Sequence, residues 1–185
     1  MRKDFGSKPW FYPLPVLIVG TYDEHGKADA MNAAWGGLYD SDLVELCLSH
    51  GHKTFKNLER TWAFTVSFGD AAHAAACDYV GLVSGSDTPD KLEKSGLTPE
   101  KSGSVNAPRF RELPMTLECT LVRVSEEGNV IGRIVNISAD ESILDAAGEI
   151  DVMKLRPIVF EPVKNGYHVL GEKVADAFEV GKSLK

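Results

Sequence analysis

The segment Ser49-His50-Gly51-His52-Lys53-Thr54 combines residue types that suit a phosphate monoester. It runs from the end of a predicted strand into the start of a predicted helix. The Thr54 hydroxyl, free backbone N–H groups and the Lys53 ammonium at a helix N-terminus together favour an anion. Ordinary helix capping by Thr54 is the alternative, which the local sequence favours when it is taken alone. His50 and His52 lack Cys, Asp or Glu partners at ligand spacing, so we predict exposed loop histidines and no metal site.

A second unusual segment is Asp29-Ala30-Met31-Asn32-Ala33-Ala34-Trp35-Gly36-Gly37, where a strand would normally alternate bulky side chains. Small side chains let a flat ligand approach the backbone closely, and an adjacent tryptophan can cover an aromatic system. A barrel corner with one core tryptophan explains the same residues equally well. Both interpretations stay open at this stage.

Standard catalytic motifs do not occur in the chain. A nucleophile elbow, a phosphate-binding P-loop, a dinucleotide glycine fingerprint and a metalloprotease helix are all absent. Hydrolase chemistry is therefore disfavoured, and we assign no catalytic residue. Cys47, Cys77 and Cys119 are odd in number, widely spaced and set among apolar neighbours, so we expect buried thiols in a reducing compartment.

The elements that must position these segments are mostly strands. β-branched residues 15–22 and a turn at 23–26 predict a hairpin into residues 28–35. Many further strands with few helices predict a mainly β fold with short helices (α+β), a Greek-key-like antiparallel barrel. The remaining predicted strands are 43–48, 62–68, 113–124, 130–138, and a hairpin of 158–163 with 166–170 that turns at Asn165-Gly166; the predicted helices are 54–60 and 71–80.

Composition limits the class of protein. The 185 residues are 43% hydrophobic and 25% charged, which predicts one globular domain over residues 1–185. The net charge of −7 comes without a basic stripe, so we expect no nucleic-acid partner. Prolines break the early apolar run, and no stretch approaches the ~20 apolar residues of a membrane span. We therefore expect a cytoplasmic protein without a membrane partner, in which the irregular stretch 84–103 is a functional loop.

Short motifs along the chain closely resemble the flavoredoxins of the flavin reductase-like family. They occur in order over nearly the whole sequence, which makes chance similarity improbable. The motifs are Tyr12-Pro13-x-Pro15-Val16, Val19-Gly20-Thr21-Tyr22-Asp23, Ala33-Ala34-Trp35-Gly36-Gly37, Val83-Ser84-Gly85-x-Asp87-Thr88 with Asp90-Lys91, Gly96-Leu97-Thr98-Pro99, Ala107-Pro108, Leu117-Glu118-Cys119, Ala139-Asp140-Glu141-Ser142 and Arg156-Pro157.

This resemblance implies an FMN-binding split β-barrel, usually dimeric, with the flavin held between subunits. It places backbone groups of the strand ending at Trp35 at the polar edge of the flavin, Thr54 at its phosphate, and Lys91 at an anionic part of flavin or substrate. The chain departs from the family pattern at Asp29 and Ser49 and lacks a His after Glu127, and His52 or Lys53 can replace a missing positive charge. The candidate cofactor-binding residues are Asp29, Asn32, Ala33, Ala34, Trp35, Ser49, His50, His52, Lys53, Thr54, Ser84 and Lys91.

The activity implied by the resemblance is electron transfer by an FMN-dependent oxidoreductase. The donor is NAD(P)H if the protein is a flavin reductase, and another redox protein if it is a flavoredoxin-type carrier. A non-catalytic flavin-binding module for storage or sensing is the alternative, and a relative that has lost flavin is a third reading. We also expect a homodimer in which the loop around Lys91 helps to complete the flavin site of the other subunit.

Overall fold

The computed structural model describes residues 1–185 and consists mainly of antiparallel strands. The strands are β1 (Leu14–Pro15), β2 (Leu17–Tyr22), β3 (Ala28–Ala33), β4 (Gly36–Asp40), β5 (Leu43–Leu46), β6 (Ala63–Phe68), β7 (Pro99–Lys101), β8 (Pro108–Phe110), β9 (Met115–Val124), β10 (Val130–Ala139), β11 (Ile158–Glu161) and β12 (Gly166–Val169). The helices are α1 (Lys53–Thr61), α2 (Ala74–Leu82), α3 (Lys91–Ser95) and α4 (Val152–Leu155), with 3₁₀ turns at Glu141–Ile143 and Val180–Leu184. No helix is long and apolar enough to cross a membrane.

The main sheet has seven strands in the order β3-β2-β6-β9-β10-β5-β4, and each neighbouring pair is antiparallel. Its two edge strands, β3 and β4, are separated along the chain only by Ala34 and Trp35. Such a short link spans roughly 10 Å at most. The sheet must therefore curl until its edges nearly meet, which makes a split barrel with its seam between β3 and β4. The predicted mainly β, split-barrel fold is confirmed.

The barrel interior holds the largest of three apolar clusters. Alternate residues of the sheet point inward and meet Phe55 and Leu58 of α1, which are 1% and 0% exposed. These two side chains lie three residues apart on one helix face, which is why the sequence predicted a helix there. Burying a side chain of this size stabilises the fold by roughly 1.5–3 kcal/mol, so the contact also fixes the N-terminus of α1 against the sheet.

The second core lies between the outer face of β2, helix α2 and a small sheet of β1, β11 and β12. It includes Ile18, Val80 and Ile158, all of which are buried. The hairpin of β11 and β12 turns where the Asn-Gly pair predicted it, and Asn165 has a positive φ of 58°.

Two expectations were wrong, and one strand of the main sheet was not predicted. The stretch 84–103 is not irregular throughout, because it contains α3 and β7; a helix of five residues is too short to show a periodic pattern. Strand β4 was missed, because Gly36-Gly37 carries no β-branched side chain. Cys47 is exposed rather than buried, because Leu46 and Leu48 on either side of it point into the core.

Candidate functional site

Several of the predicted site residues line one cavity of about 190 Å³ beside the edge strand β3. This cavity continues into a larger one of about 510 Å³, since Asp29, Lys53, Gly85 and Lys91 line both. The lining comes from strand β3, the start of α1, the loop after α2 and the start of α3. The predicted residues brought together in this way are Asp29, His52, Lys53, Thr54, Ser84 and Lys91.

A hydrogen bond between Asp29 and Thr54 forms the buried side of the cavity. Asp29 is 3% exposed and Thr54 is 2% exposed. The Thr54 hydroxyl donates to Oδ2 of Asp29 at 2.8 Å. The capping alternative for Thr54 is wrong, because α1 begins at Lys53 and His52 is the residue that precedes its first turn. Thr54 therefore turns its hydroxyl into the site.

The N-terminus of α1 carries no capping side chain and no acidic residue in its first turn. The first backbone N–H groups of a helix have no partner within the helix, and they attract an anion when nothing else satisfies them. His52, Lys53 and Thr54 line the cavity at this end of the nine-residue helix. The arrangement predicted from the sequence is thus present: a helix N-terminus that opens into a cavity.

Lys53 is partly committed to another residue. Its Nζ lies 3.1 Å from Oδ2 of Asp23. Burial opposes ionisation of Asp23, but backbone N–H groups of Lys27 and His25 and the Lys53 ammonium outweigh it, so the pKa of Asp23 lies below its ordinary value. From the sequence, Asp23 was interpreted only as a turn residue, and this role was missed.

Lys91 is the uncommitted cation of the site. It is 4% exposed, lines both parts of the cavity, and has no hydrogen-bond or ion-pair partner in the chain. Burial lowers the pKa of its ammonium, the charge of Asp29 opposes that shift, and Lys53 adds to it. No buried polar side-chain atom lacks a hydrogen-bond partner, so the Lys91 ammonium is accessible from the cavity that it lines, where it favours an anionic ligand.

Gly85 lets the backbone of the loop after α2 approach Asp29. A Cβ atom at this position would overlap Oδ1 of Asp29. No larger residue fits unless the carboxylate moves. The sequence motif around Gly85 did not place it in the site, because its contact with Asp29 depends on two segments more than fifty residues apart.

The outer edge of β3 offers backbone groups, because no strand pairs with it. The Asn32 side chain does not face the cavity, since Nδ2 donates to the carbonyl of Cys77 on α2 at 3.1 Å. Ala33 and Ala34 continue this edge toward the seam. Trp35 is 60% exposed, so the alternative of a core tryptophan is wrong, and it lines a separate cavity of about 480 Å³ with Trp10 and other residues of the N-terminal segment.

Ser49 and His50 lie outside the cavity. Ser49 is exposed, and its Oγ accepts the N–H of Gly51 at 3.4 Å. The His50 ring packs on Phe55 with ring centroids 4.3 Å apart. His50 and His52 are both exposed, as the loop interpretation predicted.

An antiparallel sheet that curls into a split barrel is the fold that this chain shares with flavin reductase-like proteins. The chain belongs to the flavin reductase-like family, because the family model for the flavin reductase like domain matches residues 10–160. The resemblance inferred from the sequence motifs is therefore confirmed.

Solved structures support the same assignment. Flavoredoxin of Desulfovibrio vulgaris (Miyazaki F) is 36% identical, with a TM-score of 0.94, covering 98% of this chain and 100% of that one. Flavoredoxin from Methanosarcina acetivorans is 27% identical, with a TM-score of 0.88 and full coverage of both chains. The FMN-binding protein from Thermus thermophilus, at 20% identity and a TM-score of 0.74 over 95% of this chain and 98% of that one, shares the fold.

Proposed function

We propose that this chain is an FMN-binding flavoprotein that acts as a flavin reductase-like or flavoredoxin-type oxidoreductase. The observation that carries the proposal is the buried, partnerless Lys91, which shares one cavity with the Thr54 hydroxyl and the uncapped N-terminus of α1. A cation, a hydroxyl and free backbone N–H groups form a donor set that fits one terminal phosphate. The family and the names of the similar proteins support flavin as the ligand that bears this phosphate.

The proposed roles follow from where each residue lies. Lys91, Thr54 and the first N–H groups of α1 bind the phosphate, and Lys53 remains near it while paired with Asp23. Backbone groups along the free edge of β3, from Asn32 to Ala34, hold the polar edge of the ring. The exposed indole of Trp35 covers an aromatic face. Bound FMN supplies hydride or single-electron transfer, and the protein supplies position and electrostatics.

Titration with three flavins tests the phosphate assignment. Quenching of flavin fluorescence is measured with FMN, riboflavin and FAD at equal ionic strength. FMN is expected to bind more tightly than riboflavin, because only FMN presents a phosphate to Lys91 and Thr54. It is also expected to bind more tightly than FAD, because nothing in the cavity indicates an adenine site. Equal affinity for FMN and riboflavin would remove the phosphate site from the proposal.

The electron donor is tested separately. The proposal includes NAD(P)H or a redox protein as donor, in a cytoplasmic protein with one domain over residues 1–185. Steady consumption of NADH or NADPH in the presence of FMN is the outcome expected of a flavin reductase. Flavin that reoxidises after photoreduction but accepts no electrons from either nucleotide indicates a carrier that is reduced by another protein. Flavin that is bound and remains redox-inert would indicate a storage or sensing module.

We further propose that the protein is a homodimer. Strands β4 and β10, which lie on either side of β5, leave apolar side chains in solvent. These are Leu38 and Tyr39 on β4, which are 75% and 49% exposed, and Val135 and Ile137 on β10, which are 46% and 50% exposed. Exposed apolar surface of this kind is typical of protein contacts. A flavin bound across the interface would stabilise the dimer by mass action. Sedimentation at low micromolar concentration, with and without FMN, checks this, and a monomer that still binds FMN tightly would contradict the shared site.

A further inference from the structure

Asp29 places a negative charge inside the subsite that is proposed to take the flavin phosphate. Its carboxylate is 3% exposed and lines both parts of the cavity. The groups that face it are Thr54 and Lys53 from α1, the backbone of Gly85, and Lys91 from α3. An anion thus already occupies the place where the donors converge.

The Thr54 hydroxyl can serve only one of the two anions as a donor. A hydroxyl has a single proton, and in this structure that proton is donated to Oδ2 of Asp29 at 2.8 Å. A phosphate dianion offers acceptors only. Donation to the phosphate therefore requires the hydroxyl to leave Asp29, which then loses its one side-chain hydrogen bond while it stays buried.

The cations do not remove this conflict. Lys53 is already paired with Asp23 at 3.1 Å. Lys91 is attracted by the charge of Asp29, so a phosphate must share its ammonium with that carboxylate. Any phosphate oxygen bonded to Thr54 would lie within about 6 Å of the Asp29 carboxylate, given ordinary hydroxyl hydrogen-bond lengths. At this separation and partial burial, like charges repel strongly.

We infer that Asp29 is a specificity-determining residue that competes with the flavin phosphate for Thr54 and Lys91. This inference rests on the proposed function. Its consequence is that FMN binds reversibly and exchanges with solution, as a flavin that is handed on between proteins must, instead of remaining as a permanent cofactor. Asp29 lowers affinity for the phosphate-bearing flavin and leaves the affinity for riboflavin unchanged.

The test substitutes Asp29→Asn, which keeps the shape and an acceptor for the Thr54 hydroxyl but removes the charge. FMN is expected to bind about tenfold more tightly and to dissociate more slowly in stopped-flow dilution, because one like charge is lost from the subsite. Riboflavin affinity should change less than about twofold. The matched control is Asp90→Asn, since Asp90 lies on the rim of the same cavity but is exposed and paired with Lys94; it should alter FMN affinity less than about twofold.

A second measurement removes dependence on a single variant. Thr54→Val is introduced into the wild-type chain and into the Asp29→Asn chain, and circular dichroism with a thermal melt verifies that each variant is folded. The loss of FMN affinity should be larger in the Asp29→Asn chain, because a neutral amide oxygen accepts the Thr54 proton more weakly than a carboxylate does, so Thr54 donates more readily to the phosphate.

These measurements distinguish a failure of the proposed Asp29 role from a failure of the proposed FMN-binding function. Unchanged or weaker FMN binding by folded Asp29→Asn, with FMN still preferred over riboflavin in the wild-type chain, overturns the role of Asp29 and leaves the phosphate site in place. Equal losses from Thr54→Val in the two backgrounds also overturn it. Absence of flavin binding in every variant overturns the proposed function, and the inference falls with it.

Discussion

Two buried carboxylates of this barrel have different surroundings. Glu118, on β9, is 1% exposed and accepts the N–H of Ser104 at 3.1 Å, and, against the effect of burial, polar groups of Ser104, Ser102 and Asn136 lower its pKa. Asp29, on β3, is 3% exposed but accepts from one hydroxyl only and borders a cavity. A buried carboxylate surrounded by polar groups of its own chain holds the fold together, whereas one that borders a cavity beside a cation without a protein partner marks a place for a ligand.

Glu118→Ala is expected to have the largest effect of the substitutions considered, a loss of stability without a loss of flavin binding. The variant removes the buried carboxylate that accepts the N–H of Ser104 and lies beside the buried Ser102, so the free energy of unfolding should fall by about 2–3 kcal/mol. Urea unfolding measures this loss. Affinity for FMN in the surviving folded protein should stay within about twofold of wild type. A folded, fully stable variant with reduced flavin binding would reverse the assignment of the two carboxylates.

Acid should weaken the Glu118 region in a defined direction. Burial alone would raise the pKa of Glu118, but hydrogen bonds from Ser104, Ser102 and Asn136 outweigh it and hold the pKa below the ordinary value of 4.5. The stabilisation is therefore fully present above pH 4.5 and is lost as the pH falls through the lower, folded-state pKa. Unfolding curves of wild type and Glu118→Gln between about pH 7 and pH 3 should converge toward the acid end. Parallel curves throughout would contradict this linkage.

At the Asp29 region, Lys91→Met should separate binding from stability. The substitution removes the cation proposed to bind the phosphate, so FMN binding should weaken by about 2 kcal/mol, the size of a charge-assisted hydrogen bond. The ligand-free protein should be about as stable as wild type, because the ammonium makes no hydrogen bond or ion pair in the chain and burial disfavours its charge. Flavin titration and a thermal melt check the two signs. A loss of stability without a loss of binding would make Lys91 structural, like Glu118.

A pair of glycine substitutions compares the two regions at the backbone. In Gly85→Ala the new methyl group would overlap Oδ1 of Asp29, which must move away from Thr54, so a cost of about 1–2 kcal/mol in stability is expected. The matched control is Gly103→Ala. Gly103 lies in the loop that supplies a donor to Glu118, and no atom lies within 4 Å of the place where the alanine methyl group would be. Chemical unfolding of both variants measures the difference, and equal costs would show that Gly85 is not fitted to the carboxylate.

The smallest effect is expected from Ser49→Ala. Ser49 is exposed, lies outside the cavity and makes only a long bond to the N–H of Gly51. Stability and FMN affinity should both stay within about 0.5 kcal/mol of wild type. A clear loss of FMN affinity would instead bring the loop before α1 into the site, as the sequence alone predicted.

Sequence patterns predicted the strands and the first two helices well, because alternating and three-apart apolar spacing is a local property. Residues 54–60 and 71–80 were predicted as helices and are found as Lys53–Thr61 and Ala74–Leu82. Helices α3 and α4 and strands β4, β7 and β8 were not predicted. A five-residue helix and a strand that begins with two glycines are stabilised by tertiary contacts, which leave no local pattern to detect.

By itself the sequence determined the mainly β architecture, the family, and the residue types of an anion site, because apolar periodicity and the order of motifs can be observed in the sequence without knowledge of tertiary contacts. Only the tertiary structure decided which of those residues meet. It paired Thr54 with Asp29 across 25 positions, committed Lys53 to Asp23, buried Lys91 without a partner, and left Ser49 and His50 outside. The physical reason is that a side chain's charge acts through the groups packed around it, and barrel closure, not chain order, selects those groups.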